Sequence, residues 1–186
     1  MKKLLYLSVF FNLLALGAAG FAIYRLGGFN YVFIRLQRQT EALYHHRAQH
    51  FERLPERLGS IIFLGDSQTE QAEWQELFPE GPVVLNRGIS GDYTEGLLER
   101  LPEVLRHKPL KIFLLIGIND LVFGNKGAEI EAVYRNIVQK IRTDSPDTEL
   151  YLQSLLPVNN AVRRVGVQNA EILELNARIL QIAHDY

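Results

Sequence analysis

The most informative segment of this chain is Ile61-Ile62-Phe63-Leu64-Gly65-Asp66-Ser67-Gln68-Thr69-Glu70. Its first four residues are apolar, two of them β-branched, which predicts a short buried strand. Gly-Asp-Ser then leads into a helical pattern with acids in its first turns. Ser67 is therefore expected between a strand and a helix start, where free N–H groups and the helix dipole face its hydroxyl. This placement suits a nucleophile that must stabilise an oxyanion, although Asp-Ser is also an ordinary N-cap pair.

Two further apolar runs end in polar turns of the same kind. The first is Val83-Val84-Leu85-Asn86-Arg87-Gly88-Ile89-Ser90-Gly91-Asp92, and the second is Lys111-Ile112-Phe113-Leu114-Leu115-Ile116-Gly117-Ile118-Asn119-Asp120. Open parallel α/β sheets bind their ligands at the carboxyl ends of the strands. Three such ends could bring together the Ser67 hydroxyl, the Gly88 N–H and the Asn119 amide.

In these three blocks the chain resembles the SGNH, or GDSL-type, hydrolase family of esterases and lipases. Gly65-Asp66-Ser67 matches the first block, Gly88 the second and Gly117-Ile118-Asn119-Asp120 the third, so the resemblance covers residues 60–120. It implies a carboxylic ester hydrolase that transfers an acyl group to Ser67 and then to water. The N–H groups of Ser67 and Gly88, with the Asn119 amide, would hold the developing negative charge.

The resemblance leaves the substrate and two alternative functions open. A small-molecule ester is expected, with a small acyl group on a carbohydrate or a lipid. An SGNH-like O-acyltransferase would share the same motifs and pass the acyl group to a sugar hydroxyl. A non-catalytic, membrane-tethered binding module would keep the pocket without its base.

The family's fourth block, an Asp-x-x-His that supplies the base, has no match in this sequence. Asp185 directly follows His184, and no other histidine has an aspartate three residues before it. We interpret His107 as a cation at a helix carboxyl end, and the histidines near residue 45 as part of a solvated helix face. The resemblance implies a sheet of five strands, of which only four are visible in this sequence. Together with the missing base block, this leads us to expect a fragment of a longer enzyme, with little or no activity as it stands.

Further site residues are expected after the fourth predicted strand. Asn159 and Asn160 lie in a loop that should rim the pocket, and Arg163 could bind an anionic part of the substrate there. A solvated loop arginine is the alternative for Arg163. Asp66 is placed with the substrate-binding residues, and its main expected task, like that of Asp120, is to hold a turn.

The composition excludes several classes of protein. A formal net charge of −1 argues against an electrostatic nucleic-acid surface. There is no cysteine, which excludes disulfides, a thiol nucleophile and cysteine-bound metal. The sequence has no P-loop, no HExxH and no GxGxxG motif, so we predict no cofactor and no metal. It does not indicate an oligomeric state.

The chain is expected to have three parts. Residues 1–27 are predicted to be a signal anchor. Residues 4–24 carry no charge, and a helix of that length spans a hydrocarbon core of about 30 Å. The alternative is a signal peptide cleaved near Gly17-Ala18-Ala19-Gly20. Residues 28–58 are predicted to form a juxtamembrane amphipathic helix, docked on the domain as a spacer, with a partner-binding coiled coil as the alternative. The hydrolase-like domain of residues 59–186 would then lie outside the cytoplasmic membrane, anchored or, after cleavage, secreted.

The domain alternates strands and helices, which predicts an α/β fold with a parallel sheet. Strands are expected near residues 60–64, 82–86, 111–116 and 149–154. Helices are expected over residues 69–77, 93–107, 127–143 and 166–184. The family resemblance implies a flavodoxin-like three-layer sandwich, preceded here by the amino-terminal transmembrane helix.

Overall fold

The computed structural model describes residues 2–25, 42–162 and 165–186, and it divides into the compact units Met1–Leu43 and Tyr44–Tyr186. The first unit contains helix α1, Lys2–Arg25, whose described side chains are exposed. In the described parts of the chain, no helix combines the length and apolar character needed to cross a membrane. The prediction of a transmembrane helix is therefore not supported.

The second unit carries four strands and seven helices in its described residues. Helix α2 covers residues 42–53. The strands are β1 Ile61–Gly65, β2 Val84–Gly88, β3 Lys111–Leu115 and β4 Glu149–Leu152. The remaining helices are α3 Ser67–Glu70, α4 Trp74–Leu77, α5 Thr94–Leu105, α6 Ile118–Val122, α7 Gly127–Asp144 and α8 Asn169–Asp185.

All four strands are parallel and follow the order β2-β1-β3-β4. The predicted α/β fold with a parallel sheet is confirmed, and each predicted strand begins and ends within two residues of the observed one. In the sheet register Gly65 pairs with Gly88 on one side and with Leu115 on the other. The carboxyl ends of β1, β2 and β3 are therefore level, and the turns that follow them meet at one edge of the sheet.

The hydrophobic core lies on one face of the sheet. Ile62 and Leu64 of β1 and Ile112 and Leu114 of β3 are fully buried against apolar side chains of α5, α7 and α8. The opposite face carries a row of aromatic rings that includes Phe63, Phe113 and Tyr151, with Trp74 of α4 stacked on Phe63 at 3.7 Å between ring centroids. Side chains alternate between the two faces along each strand, and the aromatic face is less buried than the core face, since Tyr151 of the edge strand β4 is exposed.

The predicted helix over residues 69–77 is instead two short helices, α3 and α4. The Asn86 side chain of β2 donates hydrogen bonds to the carbonyls of Thr69, Glu70 and Ala72 at 3.0–3.1 Å. The Trp74 indole also donates to the Thr69 carbonyl, at 2.8 Å. These donors occupy carbonyls that a continuous helix would use for its own ladder. The interruption thus depends on a residue from another strand.

The described part of the predicted juxtamembrane helix is α2, which packs on the domain. Phe51 is 2% exposed, and the Arg106 guanidinium donates to the carbonyls of Phe51 and Leu54 at 3.0 and 2.8 Å. The Tyr44 hydroxyl donates to the Gly96 carbonyl at 2.6 Å. Helix α2 therefore belongs to the folded core of the domain.

Replacing Asn86 by alanine should destabilise the domain, because the Glu70 and Ala72 carbonyls lose their side-chain donor, the Thr69 carbonyl keeps only the Trp74 indole, and the Gly88 N–H loses its acceptor. We expect the free energy of unfolding to fall by roughly 2–4 kcal/mol, from about 1 kcal/mol for each lost hydrogen bond. Urea unfolding of the Tyr44–Tyr186 unit within the whole chain measures this. Asn125→Ala, at an exposed position, is the matched control. Equal midpoints for the two variants would contradict this account of the helix break.

Candidate active site

Ser67 is the first residue of α3 and directly follows the carboxyl end of β1. Asp66 is the N-cap, and its Oδ1 accepts a hydrogen bond from the Gln68 N–H at 2.9 Å. Ser67 is partly exposed, whereas Asp66 is fully buried. Asp66 thus holds the turn through its side chain, and its contact with a substrate stays a prediction. Because α3 has only four residues, its dipole adds less at Ser67 than the predicted longer helix would.

The carboxyl end of β1 is in close contact with residues at the ends of both neighbouring strands. A Cβ at Gly65 would lie 2.2 Å from the Leu115 carbonyl oxygen, so only glycine fits between β1 and the end of β3. The Gly65 carbonyl accepts hydrogen bonds from the Ile89 N–H and from the Arg100 guanidinium, both at 3.1 Å. Ser67 therefore follows a strand end that contacts both neighbouring strand ends.

Gly88, at the end of β2, makes a different contact from the one expected. Its N–H donates to Asn86 Oδ1 at 2.9 Å. A Cβ at Gly88 would lie 2.2 Å from the Glu70 backbone nitrogen, so the glycine lets β2 and α3 approach each other. The Gly88 N–H is therefore already occupied, and the structure gives this residue a packing role.

The next turn offers a free N–H. Residues 89–92 form a β-turn closed by a hydrogen bond from the Asp92 N–H to the Ile89 carbonyl at 3.1 Å. Gly91 has φ +81°, while Ser90 is not among the described residues with positive φ, which makes this a type II turn. The Gly91 N–H makes no hydrogen bond to any described residue. The signal in the sequence is a Ser-Gly pair just after a strand, where glycine supplies the positive φ.

Asn119 reaches this turn from the third strand end. Gly117, at φ +124°, reverses the backbone after β3 and begins α6. The Asn119 Nδ2 atom donates to the Asp92 carbonyl at 2.7 Å. One hydrogen of the amide is used in this bond, and the other remains available. This hydrogen bond joins the turns that follow the second and third strands.

Buried carboxylates support these turns. Asp120 accepts from the Thr94 N–H at 3.1 Å and from the Thr94 hydroxyl at 2.5 Å, which holds the start of α5. Asp92 is paired with Arg100 at 2.7 Å. Asp120 was expected to hold a turn, whereas the Asp92–Arg100 pair was not predicted, because its partners lie in separate elements. The signal for it is an arginine eight residues after an aspartate on a mostly apolar helix face.

Burial changes the acidity of these groups. Desolvation raises the pKa of Asp66 to about 6, and the nearby Asp120 carboxylate adds to the shift. Desolvation also raises the pKa of Asp92 to about 6, against the opposing effect of Arg100. The pKa of Asp120 is raised as well, mainly by desolvation. Such a group of shifted carboxyls is typical of functional sites, although structural networks also produce it.

In the loop after β4, two of the predicted substrate-binding residues make hydrogen bonds to the loop itself. Asn160 donates to the Val167 carbonyl at 2.8 Å and accepts from the Val165 N–H at 3.1 Å. Asn159 Oδ1 accepts from the Ala161 N–H at 3.1 Å. Both asparagines therefore shape the loop, and their contact with a substrate stays a prediction. Arg163 lies outside the described residues.

The histidines do not supply an evident base. His107 is fully buried, its Nδ1 accepts from the Arg57 N–H at 2.9 Å, and its Nε2 lies 3.1 Å from Glu103 Oε1. Desolvation lowers the pKa of His107, which favours a neutral imidazole, and Nε2 also lies 3.1 Å from the Arg87 guanidinium. This corrects the interpretation of His107 as a helix-capping cation. His184 is exposed in the last turn of α8. The described residues hold no group of three metal-ligating side chains.

Comparison with known proteins agrees with this geometry. Residues 63–186 match the model of the GDSL-like Lipase/Acylhydrolase family. The chain is 31% identical over 122 residues to platelet-activating factor acetylhydrolase IB subunit alpha2 of Gallus gallus, which covers 62% of this chain and 52% of that protein. It is 30% identical over 107 residues to thioesterase 1/protease 1/lysophospholipase L1 of Escherichia coli K12, covering 55% and 51%.

A solved structure is similar over a larger part of the chain. It is that of a Streptococcus pneumonia protein assigned provisionally as a platelet activating factor, with a TM-score of 0.71, 31% identity, and coverage of 84% of this chain and 75% of that one. The chain spans about half the length of the curated relatives it matches. It belongs to the GDSL-like lipase/acylhydrolase family, also called SGNH hydrolases, as the three sequence blocks indicated.

The buried Asp66 carboxyl predicts a pH dependence of stability. Its folded pKa of about 6 lies above the usual value of 3.8, so between about pH 4 and pH 6 the folded protein holds more protons than the unfolded chain. The free energy of unfolding should therefore fall as the pH rises through this window. Asp66→Asn cannot ionise, and its fall should be smaller by on the order of 2 kcal/mol.

Urea unfolding at pH 4 and pH 7 tests this expectation. Asp92 also contributes in this window, so the fall should be reduced and not abolished. Asp147→Asn removes an exposed carboxylate and should behave like the wild-type chain. If Asp66→Asn loses as much stability as the wild type between the two pH values, Asp66 is not the buried group that titrates there.

Proposed function

We propose that the chain is a serine ester hydrolase that works through an acyl-enzyme formed on Ser67. The observation that carries this proposal is the Asn119–Asp92 hydrogen bond, which joins two donor-bearing turns beside the strand that precedes Ser67. Ser67 Oγ would attack the ester carbonyl carbon and give up its proton, the bond from that carbon to the alcohol oxygen would break, and the alcohol would leave with one proton. Water would then attack the acyl carbon, return a proton to Ser67 Oγ and release the carboxylic acid.

Three donors would hold the negative charge on the carbonyl oxygen. They are the N–H of Ser67, the N–H of Gly91 and the second amide hydrogen of Asn119. Gly91 takes the place first predicted for Gly88, because the Gly88 N–H is bound to Asn86 while the Gly91 N–H is free of described partners. Rigid donors of this kind need no reorganisation during the reaction, which is the source of their catalytic effect.

The substrate is proposed only by class. The names of the relatives include an acetylhydrolase, a thioesterase and a lysophospholipase, which supports a small acyl group or a lipid acyl group on a small-molecule ester. A membrane anchor for the chain and an extracytoplasmic location for its domain stay predictions. They rest on the uncharged residues 4–24 and on the frequency of exported enzymes in the family.

Ser67→Ala should abolish covalent labelling by a fluorophosphonate probe and leave the fold unchanged. The reason is that Ser67 Oγ is the proposed nucleophile. Labelling by the 186-residue chain should be slow, since loss of the base from a serine triad costs roughly a millionfold in kcat and this sequence has no Asp-x-x-His. Intact-mass spectrometry after long incubation measures the reaction, with Ser154→Ala at an exposed serine as control.

Two results would contradict this scheme. Labelling of the Ser67→Ala variant at the wild-type rate would show that another residue reacts. Turnover of p-nitrophenyl acetate at ordinary enzyme rates, lost in His184→Ala, would show that His184 is the base after all.

Asn119→Ala should slow the reaction of Ser67, because the amide acts where negative charge develops. Removal of one such donor typically costs about 10²–10³ in rate. The limiting rate constant of fluorophosphonate labelling and the probe concentration that gives half of it, determined separately, measure this effect. Asn125→Ala, at an exposed position in the turn after α6, should label at the wild-type rate. A loss confined to probe affinity, with an unchanged limiting rate, would make Asn119 an ordinary binding contact.

A further inference from the structure

Glu70 connects the helix of Ser67 with the turn that carries the free N–H. It is the last residue of α3, three positions after Ser67. Its Oε2 accepts hydrogen bonds from the Ser90 N–H, at 2.8 Å, and from the Ser90 hydroxyl. Its Oε1 lies 3.5 Å from the Arg47 Nε atom of α2. One carboxylate thus bridges three elements.

The bridge from Glu70 ends at a central residue of the turn that carries the free N–H. Ser90 and Gly91 are the two central residues of the type II turn, and the peptide between them carries the Gly91 N–H. The direction of that N–H depends on how the central peptide is rotated, and rotation of this peptide converts one turn type into another. Asn119 fixes the far end of the turn through the Asp92 carbonyl. Glu70 fixes the near end through Ser90.

The charge of Glu70 makes this arrangement costly unless it is balanced. A carboxylate close to a developing oxyanion would oppose the reaction by like-charge repulsion. Here the two donors of Ser90 face the carboxylate, and the Arg47 guanidinium lies beside it. Arg47 is itself held over the Phe51 ring at 4.7 Å. The pairing keeps the anchoring bonds while it reduces the net negative charge near Ser67.

We propose that Glu70 is a positioning residue that sets the direction of the Gly91 N–H relative to Ser67, and that Arg47 balances its charge. This inference rests on the proposed function of Ser67 and goes beyond it. It makes α2 a supporting part of the reaction site. Glu70 has no contact with the reacting atoms and acts through Ser90.

Two measurements on the whole chain test the proposal. The first is residue-resolved amide hydrogen exchange at Ser90, which reports the anchor without any need for activity. The second is the rate of fluorophosphonate labelling of Ser67. Glu70→Ala removes the acceptor, whereas Glu70→Gln keeps an acceptor oxygen for Ser90 and removes only the charge. Glu76→Gln, at an exposed glutamate of α4, is the matched control.

In Glu70→Ala we expect exchange at Ser90 to become roughly ten- to a hundredfold faster, the range for a lost hydrogen bond to a charged group. Labelling should slow by about tenfold or more, while exchange in the amides of β1 stays unchanged. Glu70→Gln should restore most of both values. If Glu70→Ala does not fold, Ser90→Ala removes one of the two donors and should show the same two changes in smaller measure.

The outcomes separate this inference from the function on which it rests. Unchanged Ser90 exchange in Glu70→Ala overturns the positioning role, whatever Ser67 does. Faster exchange with labelling at the wild-type rate also overturns it, provided that Ser67→Ala abolishes labelling. If Ser67→Ala keeps its label, the proposed function fails, and the positioning of a catalytic donor fails with it.

Discussion

Strand β1 forms hydrogen bonds with a parallel neighbour on each side, and the rest of the site depends on this arrangement. The register sets Gly65 level with Gly88 and Leu115, so three turns emerge at one edge. Glycine at residue 65 is required because any Cβ would meet the Leu115 carbonyl. The close approach brings the backbone after β1 against the turns after β2 and β3. A larger residue would separate these turns and the donors that they carry.

Buried polar side chains stabilise the edge of the sheet at which these turns lie. Asp66, Asp92, Asp120 and Arg100 are all buried, and each makes hydrogen bonds to a neighbouring turn or helix start. The raised pKa values of the aspartates show that desolvation outweighs the favourable contacts. Burial of this kind costs stability and fixes geometry, because a buried charge must keep its few partners. We therefore expect the buried aspartates that hold these turns to lower the stability of the domain when they are ionised.

The fold was largely predictable because its signals are local. Short apolar runs that alternate with helical patterns determine strands and helices within a few residues, and the alternation itself predicts the parallel sheet. Ser67 and Asn119 could also be predicted as candidates, since each lies within four residues of a strand end. The break between α3 and α4 was not, because the donor that causes it, Asn86, comes from another strand.

The sequence by itself determined the class of fold and the family, and it predicted Ser67 and Asn119 as site residues. Each of these depends on residues close together in the chain. Only the tertiary structure showed that the Gly88 N–H is occupied by a side chain, whereas the Gly91 N–H, in a turn with a positive φ, has no described partner. It also revealed the contacts of Glu70 with Ser90 and Arg47, which are separated by 20 and 23 residues from it in the chain. Such contacts arise only when strands and helices pack, and no local pattern records them.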